Sequence, residues 1–75
     1  MPTIKTFGRV KLTMYYGDHG VPHFHVIAPD FKVSIAIESL EILAGAARPR
    51  QIRDAVAWAR QNQELLLARW EQLQQ

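Results

Sequence analysis

Three histidines, His19, His23 and His25, fall within seven consecutive residues, in the string Asp18-His19-Gly20-Val21-Pro22-His23-Phe24-His25. They are all the histidines the chain has. Short histidine-rich tracts are a metal-binding signal. Residues two apart on a strand share a face, about 7 Å apart along the backbone, so His23 and His25 present their imidazoles together. His19 lies on the loop leading into that strand, within reach of the same face. Three imidazoles, with Asp18 or Glu38 close by, make a donor set for zinc or another divalent transition metal and leave a position for water. Water held there loses a proton more readily and serves hydrolysis. A metal-free alternative uses the same residues. Histidines that titrate near neutrality supply a general base and a general acid, enough to cleave RNA through its own 2′-hydroxyl. Tyr15, Tyr16, Lys11 and Arg9 would then contact phosphate or stack on a base. The third reading is structural: Asp18-His19 closes a turn, and the other histidines decorate a solvated sheet face. On such a face, replacing His23 or His25 by Ala is expected to leave the fold intact.

These residues need a scaffold. With 75 residues the chain has room for one domain, and at 48% hydrophobic and 21% charged its composition is that of a folded one. So short a chain often relies on disulfides, a metal or a partner subunit. There is no cysteine, which rules out disulfides and fits a reducing compartment. No apolar run reaches membrane-spanning length or resembles a leader, so a cytoplasmic protein is expected. A net charge of +2 is too small to argue for nucleic acid by itself.

Residues 1–43 are rich in β-branched and aromatic types, whereas residues 49–75 are rich in Ala, Leu, Gln, Glu and Arg. That ordering predicts an α+β domain. Strands are expected at 3–7, 10–16, 23–28 and 32–38, forming an antiparallel sheet of three or four. Gly8-Arg9 and Pro29-Asp30-Phe31 supply the hairpin turns. Alternation places Phe24, Val26, Val33, Ile35 and Ile37 on one face, and His23 and His25 on the other beside Lys32, Ser34 and Glu38. Pro22 stiffens the approach to His23. Residues 40–47 read equally as a strand or a helical turn. One long helix is expected at 49–73, opened by Pro49 and packed on the Phe24/Val26 face.

A helix of that length is roughly 37 Å long and outruns strands of about 20 Å. Trp70 and Leu73 would then overhang the sheet, with Trp58 and Leu65 as a second apolar patch. These four residues are the expected partner-binding surface, for a second copy of the chain or a small cognate protein. If Met1 is removed, Pro2 leaves a prolyl amine at the terminus, for which an edge-strand role is a better expectation than a catalytic one.

The chain resembles, nearly end to end, a family of small prokaryotic proteins catalogued as domain of unknown function 4160. The resemblance rests on Met1-Pro2-Thr3-Ile4, on Asp18-His19-x-x-Pro22-His23-x-His25-Val26, on Glu38 and Pro49, and on Asn62-x-Glu64-x-Leu66-Leu67-x-x-Trp70. The central string is its specific part. The chain departs from the family at Val21, where a second proline is usual, and at Leu65 and Ala68, where acidic residues are. The resemblance implies a bacterial or archaeal origin and a two-gene arrangement of the toxin–antitoxin type. On that footing the leading expectation is a small component of such a pair, binding a protein partner and RNA through the face that carries His19, His23 and His25. The alternatives are a zinc protein using the same histidines and a non-catalytic interaction module.

Overall fold

The structure is a computed structural model that describes residues 3–74; Met1 and Pro2, at the start of the family-like string, lie outside the described residues. Five strands precede two helices: β1 (Thr3–Phe7), β2 (Val10–Thr13), β3 (His23–Ala28), β4 (Phe31–Ala36), β5 (Ile42–Ala46), α1 (Pro49–Gln61) and α2 (Gln63–Gln74). The strands form one antiparallel meander in chain order. The class is therefore α+β with an antiparallel sheet, as the composition shift implies. Among the described residues, no helix is long and apolar enough to cross a membrane.

Register follows side-chain chemistry. Leu12, Val26 and Val33 lie in one cross-strand row, and Phe24 stands opposite Ile35. All five are buried on the helix side, in one cluster with Ile37, with Ile52, Ala55 and Ala59 of α1, and with Leu66 and Trp70 of α2. The intervening row, Thr13, His25 and Ser34, points the other way. Period-two alternation thus fixes which β3 residues enter the core and which are left for the site.

Three details differ from expectation. The sheet has a fifth strand, because residues 40–47 extend it as β5. Leu40 takes a left-handed φ of 62° after β4, and Gly45 takes 83°. A Cβ on Gly45 would collide with the Lys32 carbonyl oxygen, so only glycine lets the edge strand lie that close. β2 and β4 end early, at Thr13 and Ala36, and β4 begins at Phe31, leaving Pro29-Asp30 as a two-residue turn.

The third difference is the largest. The single helix over 49–73 is two helices, parted at Asn62. No proline or glycine marks the break. Asn62 instead turns its side-chain amide onto the Trp58 carbonyl (2.8 Å), the local competition that makes asparagine a poor helix former. Gln63 then donates to the carbonyls of Ile37 (2.7 Å) and Glu38 (3.1 Å), pinning the start of α2 to the turn after β4. The final turns consequently do not overhang: Trp70 is only 8% exposed, and Leu73 packs against the core.

Candidate metal centre

His23 and His25 alternate with Phe24 and Val26 on β3; pairing with β4 holds the backbone of both, and His25 is paired with β2 as well. Ahead of them the chain leaves β2 and makes a loop in which Gly17 and Gly20 adopt positive φ, 67° and 89°. The Gly17 N–H donates to the Leu73 carbonyl (3.1 Å), which anchors the loop to the last turn of α2. Asp18 is thereby carried back over β3. Its Oδ2 lies 2.9 Å from His23 Nε2 and 3.2 Å from His25 Nε2. Its Oδ1 accepts the backbone N–H of His19 (3.1 Å).

The second nitrogen of each ring is also engaged. His23 Nδ1 donates to the Val21 carbonyl (2.8 Å), and Ser34 Oγ lies 3.2 Å from His25 Nδ1. A backbone carbonyl only accepts, so His23 carries a proton on Nδ1; its Nε2 then meets Asp18 as an acceptor when the ring is neutral and as a donor when it is protonated. His25 has no such conflict: with Ser34 donating to Nδ1, its Nε2–H donates to the carboxylate. Two imidazole nitrogens and one carboxylate oxygen, all within 4.8 Å of one another, therefore converge on one point.

The face is not solvated, contrary to expectation. The His23 and His25 side chains are only 11% and 13% exposed. Trp70 packs on the His23 ring with centroids 5.0 Å apart, and Tyr15 stands edge-on to His25 at 4.5 Å. Replacing either histidine by Ala would thus strip partners from partly buried polar groups. Burial pushes Asp18 upward, but hydrogen bonds from His25 and the His19 N–H, with the charge of His23, outweigh it and hold the carboxyl below its usual range. For His25, burial is the largest influence and lowers the pKa, against the upward pull of Asp18.

The cluster is Asp18, His23 and His25, and His19 is not in it: that residue is exposed, and its backbone rather than its ring serves the site. Glu38 is exposed in the turn after β4, and its carbonyl, not its carboxylate, is used. Tyr16 is exposed near the loop, whereas Arg9 lies at the other end of the sheet, beside Asp30. Of the expected partner surface, Leu65 is 43% exposed, Trp58 is half-buried edge-on to Phe7 (6.4 Å), and Trp70 belongs to the core and the His23 wall. Sequence reasoning placed Ser34 beside the histidines on the same face but gave it no role, and the structure makes it the partner of His25. Sequence reasoning missed Trp70 as a wall, because the helix break had no visible mark.

No curated protein and no solved structure matches the chain. A family model, Domain of unknown function (DUF4160), matches residues 10–71, a span that includes Asp18, His23, His25, Ser34 and Trp70. The chain belongs to that family.

Proposed function

We propose that the protein binds a divalent transition metal, zinc foremost, through Asp18, His23 and His25. One observation carries the reading: when His23 is neutral, the Val21 carbonyl holds its proton on Nδ1, so Nε2 aims a lone pair at the carboxylate oxygen that His25 also approaches. In the neutral ring that is two acceptors facing each other at 2.9 Å, an arrangement a cation between them relieves. A metal-bound histidine typically gives its other N–H to a carbonyl, as His23 does. Spacing agrees as well. Ligand atoms about 2.0–2.2 Å from a tetrahedral zinc are about 3.3–3.6 Å from each other, so the 2.9 and 3.2 Å found here need to widen by only a few tenths of an ångström.

Three protein ligands leave a coordination position for water, whose lowered pKa would suit it to hydrolysis. Elemental analysis of untagged protein and calorimetric titration with zinc test the proposal. Stoichiometric binding that is lost in H23A and H25A is expected. Equal binding by the wild type and the H23A/H25A double variant would overturn it.

A second reading keeps the residues and dispenses with the metal. The hydrogen-bonded series Ser34, His25, Asp18, His23 favours it, since such a series can pass a proton. With Tyr16 exposed for stacking, it would serve RNA cleavage by one member of a toxin–antitoxin-like pair. Growth inhibition by the gene expressed without its neighbour, abolished in H23A/H25A and insensitive to chelators, would select this reading.

A further inference from the structure

An apolar concavity lies between the edge strand β5 and α1. Leu40, Ile42, Ala47, Ile52 and Val56 form its floor, and Arg53 and Arg60 stand on its rim. Its volume is about 400 Å³.

Two features of its surroundings say what it would take. Among the described residues, the outer edge of β5 has no neighbouring strand, and all five of its residues, Ile42 to Ala46, are exposed. Edge strands are normally blunted by charge or proline. The opposite edge follows that rule with Lys5 and an irregular register between Thr3 and Lys5. β5 reads Ile-Leu-Ala-Gly-Ala and carries neither device. Its backbone is thus a template for one more strand, the β-augmentation mode of peptide recognition. The rim supplies the second feature. Arg53 and Arg60 are exposed and, among the described residues, neither makes an ion pair. Being seven residues apart on α1, they lie on one helix face about 10.5 Å apart.

We infer that β5 and the groove beside it bind an extended segment of a partner protein with the pattern acidic–x–apolar–x–acidic. Added to the edge of β5, the segment turns alternate residues toward α1. Its apolar residue enters the floor at Ile42 and Ile52. Its acidic residues, about 13 Å apart along the strand, reach Arg53 and Arg60 by side-chain length. Charge decides against a second copy as the occupant. Pairing β5 with β5 would bring the arginine rims of both subunits together, and this chain has no acidic residue on β5 to answer them. The inference concerns a different surface from the histidine cluster and stands without it.

The test uses two synthetic heptapeptides of threonine with leucine at position four, one with glutamate and one with lysine at positions two and six. Amide shifts of the full-length protein are followed by NMR at low salt. The glutamate peptide is expected to shift the amides of Ile42–Ala46 and α1 and to bind about tenfold more tightly than the lysine peptide. In R53E/R60E the order should reverse, with the circular dichroism unchanged. Equal binding of both peptides, or no shift in β5 and α1, would overturn the inference. So would a concentration-dependent dimer abolished by A44P, which would give the groove to a second copy.

Discussion

The histidine cluster and the β5–α1 groove are built in opposite ways. The cluster comes from neighbours in sequence: Asp18, His23 and His25 span eight residues, and nearly every polar atom there has a partner. Among the described residues, the buried polar side-chain atoms that lack one are the Thr13 hydroxyl, one strand away, and the Gln74 amide nitrogen. The groove joins β5 to α1 across an open floor, with apolar surface and edge backbone left unanswered. A site whose side chains already converge on one point is poised for a small ion that can stand where a proton otherwise would. An unsatisfied edge instead suits a macromolecule that brings its own backbone.

That contrast can be broken most forcefully at Trp70, which serves the core and the cluster together. W70A should cost about 3–5 kcal/mol, a large part of the stability of so small a domain, and disturb the His23 ring resonances as well. Denaturant unfolding and NMR check both. Retained stability would mean that α2 is not needed by the sheet.

Zinc comes next. At a free concentration one hundred times its Kd, it should stabilise the fold by about 2.7 kcal/mol, raising Tm by roughly 10–20 °C. H23A should show no such rise, and R53E/R60E should keep it in full.

G45A addresses the groove side of the comparison. The added methyl meets the Lys32 carbonyl in a left-handed backbone, at a cost of about 1–3 kcal/mol. Hydrogen exchange should rise in β5 while zinc affinity holds. H25A is the converse substitution: by stripping partners from Asp18 and Ser34 it should cost about 1–3 kcal/mol and leave exchange in β5 unchanged.

Acid should have the mildest effect. His25 titrates below its usual 6.5 when folded, so as pH falls through that value the unfolded chain takes up a proton that the native one refuses. Its contribution is complete above 6.5 and declines toward the lowered folded pKa. Asp18, also held low, adds stability above its usual 3.8 that disappears as pH falls through its folded value. Denaturant midpoints for wild type should therefore fall between about pH 7.5 and 5.5, with a smaller fall in H25A.

The cluster was largely legible because a strand's two-residue period is local. It puts His23 and His25 on one face whatever surrounds them, and the same alternation places Phe24 and Val26 in the core. The rest depended on distant contacts. Asp18 rather than His19 faces the rings because Leu73 anchors Gly17, a contact no local pattern announces. The helix break at Asn62 has no proline or glycine to mark it, and Gln63 fixes it by reaching the β4 turn. β5 lacks the alternation that reveals half-buried strands, since Ile-Leu-Ala-Gly-Ala has no polar residue to alternate and all five are exposed. Without β5, the groove could not be foreseen.

The bond from Gly17 to Leu73, with Trp70 standing on His23, also sets an order of events during synthesis. The loop and β3 leave the ribosome early, whereas α2 comes last among the described elements. At about 5–20 residues per second, Asp18, His23 and His25 wait a few seconds for the helix that anchors and covers them. A nascent chain therefore carries these residues without their completed arrangement. Whatever the cluster binds or does begins only once translation has passed Leu73.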